Sequence, residues 1–219
     1  MNTVPAKKFQ PLQHHFANLN QQYECASLGM WLFLVTEILF FGGIFLAYAI
    51  YLGMYPAAFA AGSHHLSILL GCINTAVLIS SSFTMVMAVH TARLGKKHAT
   101  TLFLLLTLLL GCVFLGIKAV EYTEKFTHHL VPNNSFHFEG FDGPGIRIFY
   151  SIYFALTGLH ALHMIIGAVV LVIILIQNIQ GRFSAEYNSP IDMFGLYWHF
   201  VDVVWIFLFP LLYLLGRHV

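Results

Sequence analysis

Five long apolar runs divide the chain, and each is long enough to cross a membrane. They extend over approximately 27–52, 64–89, 99–120, 146–177 and 194–216. A helix needs about 20 apolar residues to span a hydrocarbon core. The runs are continuously apolar, whereas the strands of a membrane β-barrel alternate apolar and polar positions over about 10 residues. The pattern therefore predicts an all-α polytopic membrane protein, a five-helix transmembrane bundle.

Polar and turn-forming residues occupy the rest of the chain. Residues 1–26 are polar and lack the early apolar segment of a signal peptide, so they predict a solvent-facing N-terminal arm. Residues 27–219 then form the transmembrane domain. Glycine and proline separate its apolar runs, as in "FDGPG" before the fourth and "NSP" before the fifth.

The basic residues of the predicted loops indicate an orientation. With the N-terminus inside, the inner segments hold more of them, namely Lys7, Lys8, Arg93, Lys96, Lys97 and Arg182, against Lys118, Lys125, Arg147 and Arg217 outside. Lys118 and Arg147 lie at predicted helix ends, where a long side chain can reach the interface. The positive-inside rule then predicts a cytoplasmic N-terminus and a periplasmic C-terminus.

Composition narrows the class of protein further. Only 9% of the 219 residues are charged, against about 25% in a soluble domain. The net charge of +1 provides no broad basic surface, which excludes nucleic acid as a partner. Cys25, Cys72 and Cys112 are far apart and show no metal-binding spacing.

Several ionisable residues lie inside the apolar runs, where a charge costs roughly 2.5–3.5 kcal/mol and usually has a partner. From the inner helix ends, a rise of about 1.5 Å per residue places Glu37 at roughly 15 Å, Asp202 at roughly 12 Å and His199 at roughly 8 Å. These three are predicted to form one polar cluster or a lipid-linked or proton-linked site. His163 and His160 lie at roughly 21 and 25 Å and are expected to bond between helices or to headgroups.

The 13 histidines also raise the question of a haem or metal site. A haem held between two helices needs opposed imidazoles at similar depth. The depths of His199 and His163 differ by roughly 13 Å, which is too far. We therefore expect no metal or haem ligand here and no cofactor bound by this chain. For Glu37 a structural or lipid-linked role and a proton-linked role both stay open.

The fifth run has two distinct faces. Trp198 and Trp205 are seven residues apart, so they share a face about 100–120° from that of His199 and Asp202. We expect one side of this helix to contact the bundle and the other to contact lipid or another subunit.

Four segments carry a resemblance to a known family. They are "WLFLVTEILFFGGIFLAY", "GIKAVEY", "TGLHALHMIIGA" and "YWHFVDVVWIFLF". In this order, from Gly29 to Arg217, they resemble subunit III of the haem-copper terminal oxidases. The resemblance maps the intramembrane glutamate of the family to Glu37, its paired histidines to His160 and His163, and the end of its third helix to Glu121 and Tyr122. Glu121 is, like the two histidines, a candidate for a polar contact between helices.

The resemblance implies a non-catalytic subunit of a respiratory oxidase that reduces oxygen to water and pumps protons. In that family the haems and coppers lie in subunits I and II. Subunit III packs beside subunit I, holds phospholipids, and sustains proton uptake and catalytic lifetime. Longer members have seven helices, the first two forming one arm of a lipid-filled cleft. This chain resembles the shorter five-helix bacterial form, so another subunit would have to supply that arm.

The electron donor separates two branches of the family. Glu37 and the ending "YWHFVDVVWIFLFPLLYLLG" look more like the cytochrome c branch, which implies a bacterial inner-membrane complex that takes electrons from cytochrome c. A quinol oxidase subunit III is the first alternative. A stand-alone b-type cytochrome and a small proton-coupled carrier are the others.

Overall fold

The computed structural model describes residues 12–132, 136–138 and 143–215, and this part of the chain is built of helices. In chain order they are α1 (Leu19–Met54), α2 (Pro56–His64), α3 (Ile68–Arg93), α4 (Lys97–Thr127), α5 (Pro144–Ile179) and α6 (Ser189–Phe209), which continues as a π-helical turn (Pro210–Leu214). All except the short α2 are long and apolar enough to cross a membrane. The predicted all-α bundle with five membrane-spanning helices is confirmed.

The first helix begins earlier than its apolar run. Asn18 caps it, since its side chain accepts a hydrogen bond from the Gln21 amide at 2.9 Å. α1 therefore includes the polar residues 19–26, which the apolar pattern assigns to the N-terminal arm. Residues 1–11 of that arm lie outside the described part of the chain.

The bundle has a packed centre and one peripheral helix. α4 packs between α3 and α5, while α6 packs against α3 and α5 from the other side. α1 contacts α5 and α6 and buries only Leu34, Phe41 and Tyr48. These three are seven residues apart, so the fully buried side chains of α1 lie along a single line, and most of its other side chains are exposed.

The tryptophans of α6 lie in the centre of the bundle. Trp198 is 1% exposed and Trp205 is 0% exposed. The ring of Trp198 packs on Gly111 and Gly167, where an added Cβ atom would lie only 3.1 and 3.0 Å from it. Its indole nitrogen donates to Ser81 Oγ at 3.0 Å. The tryptophan side chains of α6 thus point into the bundle, and His199 on the neighbouring face contacts Ser82 of α3.

The two connections predicted to lie inside, α3–α4 and α5–α6, meet at one end of the bundle. Arg93 Nη2, at the end of α3, lies 3.1 Å from Asp192 Oδ2 in the first turn of α6. Asn178 Nδ2, at the end of α5, donates to the Lys97 carbonyl at 3.3 Å. Lys7, Lys8 and Arg217 lie outside the described residues, and the orientation across the membrane stays a prediction.

The expectation that Lys118 lies at a helix end and reaches the interface is wrong. α4 continues to Thr127, well beyond the predicted end near 120, because polar residues extend the helix past the apolar run. The Lys118 side chain is only 3% exposed and lies inside the bundle.

Candidate functional site

A carboxyl and an imidazole meet between α1 and α5. Glu37 Oε2 lies 3.2 Å from His163 Nε2, and the two side chains are 19% and 13% exposed. His163 Nδ1 lies 2.8 Å from the Leu159 carbonyl oxygen. Because a carbonyl only accepts, Nδ1 must carry the hydrogen of this bond.

The position of that hydrogen determines which protonation states Glu37 and His163 can have together. In a neutral imidazole with Nδ1 protonated, Nε2 is an acceptor, so the Glu37 carboxyl has to be protonated to bond to it. In an imidazolium, Nε2 donates and Glu37 is a carboxylate. In both cases Glu37 and His163 share one proton, and the pair has no net charge. This arrangement can store a proton inside the membrane without a buried net charge.

The pair is held by α6 and borders an apolar groove. The Tyr197 hydroxyl donates to the His163 carbonyl at 2.8 Å, and the Phe41 ring lies 5.3 Å from the imidazole. The groove runs between α1 and α6, and its volume is about 510 Å³. Its lining is apolar throughout: Ile38, Phe41, Gly42, Phe45, Phe200, Val204, Phe207 and Leu211. The shape and chemistry suit a hydrocarbon chain.

The structure does not join Glu37 to His199 and Asp202 in one cluster, as the depths estimated from sequence had suggested. Those depths placed the start of α1 near residue 27, whereas the helix begins at Leu19. With the observed ends, Glu37 lies roughly 27 Å along α1 and His163 roughly 24 Å from the end of α5. With this correction, Glu37 of α1 lies at about the same depth as His163 of α5.

His199 and Asp202 belong to the contact between α3 and α6. His199 Nδ1 lies 2.7 Å from Ser82 Oγ. Asp202 is 2% exposed, and its carboxyl lies against the same Ser82 hydroxyl. Tyr197, which contacts His163, is about 200° around α6 from His199, so the two sites lie on different faces of this helix.

A third polar cluster surrounds Glu121 and includes residues that the sequence did not single out for this role. Lys118 Nζ donates to Glu121 Oε2 at 2.9 Å. The hydroxyls of Tyr153 and Tyr213 donate to Oε1 of the same carboxylate at 2.7 and 2.5 Å. The carboxylate thus joins α4 to α5 and to the π-helical turn.

Aromatic rings enclose the ammonium group of this cluster. Its nitrogen lies 5.1 Å from the ring centre of Trp205 and between 5.4 and 6.0 Å from those of Tyr122, Tyr153 and Tyr213. Such contacts stabilise a cation that has lost its water. The spacing of Lys118 and Glu121 was a usable signal, because residues three apart share one face of a helix.

The comparisons with known proteins identify the family. The model of the family described as cytochrome c oxidase subunit III matches residues 13–217. The chain is 33% identical over 188 residues to the cytochrome bo(3) ubiquinol oxidase subunit 3 of Pseudomonas aeruginosa, covering 86% of this chain and 84% of that protein. It is also 33% identical over 189 residues to the cytochrome c oxidase subunit 3 of Corynebacterium diphtheriae, covering 85% and 86%. The chain belongs to the cytochrome c oxidase subunit III family.

The quinol oxidase subunit 3 of Bacillus spizizenii is similar to this subunit III over nearly its whole length. The two are 33% identical over 209 residues, which cover 93% of this chain and 96% of that protein. The prediction of an oxidase subunit III, part of an oxidoreductase complex, is therefore confirmed ahead of a b-type cytochrome or a small carrier. Relatives from cytochrome c oxidases and from quinol oxidases match equally well, so membership of the family does not determine the electron donor.

The remaining predicted site residue of this subunit III is His160. It is 1% exposed and packs between Phe114 and Trp205, with ring centres 5.3 and 5.1 Å away. Neither ring nitrogen has a hydrogen bond from the described residues. Within 12–132, 136–138 and 143–215, no three histidine, cysteine or acidic side chains lie close enough together to hold a metal ion.

Proposed function

We propose that this subunit III is the accessory subunit of a proton-pumping cytochrome c oxidase in a bacterial inner membrane. It binds no haem or copper and performs no redox chemistry. It packs beside subunit I, in a complex that also contains subunit II and receives electrons from cytochrome c. The family match supports the subunit role, and the basic loops at the Arg93 end of the bundle support a cytoplasmic N-terminus.

The contact between Glu37 and His163 is the observation that carries the proposed role. Glu37 Oε2 and His163 Nε2 lie 3.2 Å apart between two helices, near a groove suited to a phospholipid chain. A subunit that holds lipid beside such a pair can maintain the surroundings in which the neighbouring catalytic subunit takes up protons. We therefore assign this subunit III to the maintenance of proton uptake and turnover lifetime.

The test is the variant Glu37→Gln in the intact oxidase. Haem content, read from the absorbance spectrum, is expected to stay unchanged, while the number of turnovers before inactivation falls. Glu24→Gln serves as the control, because Glu24 is an exposed carboxylate near the start of the same helix. Loss of haem in the Glu37 variant would contradict an accessory role.

A quinol oxidase is the second candidate, since the matched relatives in Pseudomonas aeruginosa and Bacillus spizizenii are quinol oxidase subunits. Oxygen uptake by the purified complex distinguishes the two. Reduced cytochrome c is expected to sustain it, and uptake with a quinol but not with cytochrome c would establish the second candidate.

A further inference from the structure

Three polar side chains form a chain of hydrogen bonds between α3 and α6. His199 Nδ1 of α6 lies 2.7 Å from Ser82 Oγ of α3. The same Ser82 hydroxyl is hydrogen-bonded to the carboxyl of Asp202, three residues after His199 on α6. One hydroxyl group therefore connects an imidazole to a carboxyl inside the membrane.

The Ser82 hydroxyl can donate to either neighbour, because a serine hydroxyl has one hydrogen and two accepting lone pairs. When Asp202 is protonated, its O–H donates to Ser82 Oγ, and the Ser82 hydroxyl donates to His199 Nδ1. When Asp202 is ionised, the hydrogen lies on Nδ1, so His199 donates to Ser82 Oγ and Ser82 donates to the carboxylate. Passage of one proton from Asp202 to Nδ1 converts the first arrangement into the second.

Asp202 is the closed end of this chain. The residue is 2% exposed, and both of its carboxyl oxygens are inaccessible to solvent. It follows Asp192, in the first turn of α6, by ten residues, or roughly 15 Å along the helix. An ionised carboxylate at such a depth is costly. The protonated acid is therefore the resting form, and its proton can be exchanged through the Ser82 hydroxyl.

His199 is the open end of the chain. A pocket of about 180 Å³ reaches it from the end of the bundle where Arg93 pairs with Asp192. The polar groups that line this pocket are Tyr23, Arg93, Asp192 and His199. A cavity of this size with polar groups on its walls can hold ordered water. Such water can take the Nε2 proton of an imidazolium and later supply another.

The other opening beside His199 gives no path for a proton. It is a groove of about 480 Å³ between α3 and α6, on the lipid-facing side of the bundle. Apart from Ser82, His199 and Asp202, its lining is apolar. Hydrocarbon chains against this lining exclude water from that side. The hydrogen-bonded chain is therefore reached by water from one end of the bundle.

We propose that Asp202, Ser82 and His199 form a proton-exchange site, in which Asp202 stores a proton and exchanges it with water in the polar pocket. Each transfer breaks one O–H or N–H bond and forms another, so the proton count along the chain is conserved. The site is separate from the pair of Glu37 and His163, which contacts another face of α6. Only the use of this site by the oxidase rests on the proposed role in proton uptake.

Infrared spectroscopy of the intact oxidase tests the stored proton. A protonated carboxyl gives a C=O stretching band, and the band of Asp202 is the one expected to disappear in Asp202→Asn. Transfer into deuterated water is expected to shift this band as the carboxyl exchanges its proton. If no such band is lost in Asp202→Asn, the proposal is wrong. The measurement needs no turnover, so its failure is distinguishable from failure of the proposed role in turnover lifetime.

Ser82→Ala tests the transfer path. It removes the hydroxyl between Asp202 and His199, and exchange of the Asp202 band is expected to slow by about tenfold, as for one hydrogen bond lost from the path. Ser82→Thr keeps a hydroxyl and is expected to restore the rate. Ser80→Ala is the control, since the exposed Ser80 donates to the Ala76 carbonyl of its own helix at 2.8 Å. Equal exchange rates in Ser82→Ala and Ser80→Ala would contradict the proposal.

Two further variants test the end from which the proton enters. Val89 lines the polar pocket, so Val89→Phe is expected to fill it and to slow the exchange. Val203 lines the lipid-facing groove, so Val203→Phe is expected to leave the rate unchanged. An effect of Val203→Phe as large as that of Val89→Phe, or larger, would overturn the aqueous route. If Ser82→Ala does not assemble, His199→Phe decides, and an unchanged exchange rate in that variant would contradict the proposal.

Discussion

Lys118 Nζ lies 2.9 Å from Glu121 Oε2 inside the bundle, and the two side chains are 3% and 1% exposed. Opposite charges at this depth stabilise a fold only when their remaining hydrogen-bonding positions are satisfied. Two tyrosine hydroxyls donate hydrogen bonds to the Glu121 carboxylate, and four aromatic rings surround the Lys118 ammonium. The pair therefore fixes where α4, α5 and the end of α6 meet.

Lys118→Met is expected to weaken the assembled subunit strongly. It leaves the Glu121 carboxylate buried without its cation, a change that costs about 3–5 kcal/mol when a buried pair is broken. The double variant Lys118→Met/Glu121→Gln removes both charges and is expected to recover most of the loss. The temperature at which subunit III dissociates from the purified oxidase measures both, with Lys97→Met at an exposed lysine as the control. A double variant as unstable as the single one would count against the pair.

Tyr213→Phe is expected to destabilise the subunit by a smaller amount. The substitution removes one donor to the Glu121 carboxylate, worth about 1–3 kcal/mol for a buried bond to a charged group. Tyr213 reaches the carboxylate from the π-helical turn, whose Leu211 carbonyl accepts from the Tyr48 hydroxyl at 2.6 Å. The same dissociation temperature measures the effect. Tyr51→Phe, at a partly buried tyrosine of α1, is the control and should change little.

The membrane-spanning fold was predictable because its signal is redundant. Each span needs only an uninterrupted apolar run, and the matched motifs lie on four of the five spans. The helix ends were less predictable, because polar residues such as those at 19–26 continue α1 beyond the hydrocarbon core. That error of about two turns moved the estimated depth of Glu37 and assigned it the wrong neighbours.

The polar clusters depend on tertiary geometry that one sequence shows only in part. Glu37, His163, His199 and Asp202 were all recognisable as costly residues within a membrane. Their pairing was not, since it depends on which face of α6 is turned toward α1 and which toward α3. The Tyr213 contact depends further on a π-helical turn after Phe209, which no hydrophobic pattern marks.

Gly42→Leu is expected to reduce the phospholipid that co-purifies with the oxidase. Gly42 lines the apolar groove between α1 and α6, and a leucine side chain there would fill part of its volume. Gly43 is the matched control, because it does not line the groove and an added Cβ atom would contact nothing within 4 Å. Mass spectrometry of lipids extracted from each purified complex measures the difference. Equal lipid content in the two variants would exclude this groove as a lipid site.

The orientation can be tested by labelling cysteines at the two ends of the bundle. His128 follows α4 and Glu186 lies between α5 and α6, and both are exposed. In a background without Cys25, Cys72 and Cys112, a membrane-impermeant maleimide applied to spheroplasts is expected to label His128→Cys but not Glu186→Cys. Inverted vesicles should give the reverse pattern. Labelling of Glu186→Cys in intact spheroplasts would place the N-terminus outside.

Two variants of Glu37 distinguish a structural role of its contact with His163 from a proton-linked role. In Glu37→Gln the side-chain amide can still donate to His163 Nε2, so the contact between α1 and α5 is kept while the exchangeable acid is lost. Glu37→Leu removes both the acid and the contact. We expect the glutamine variant to keep the thermal stability of the wild type, within about 1 kcal/mol, but to inactivate as early in turnover as the leucine variant.

The measurements are the dissociation temperature of subunit III and the turnover count before inactivation, taken on the same purified oxidase. The dissociation temperature reports on the hydrogen bond to His163, because the glutamine variant keeps this bond and the leucine variant lacks it. The turnover count reports on the exchangeable proton of the Glu37 carboxyl, because both variants lack that proton. A glutamine variant with the lifetime of the wild type would mean that the carboxyl serves only to hold α1 against α5.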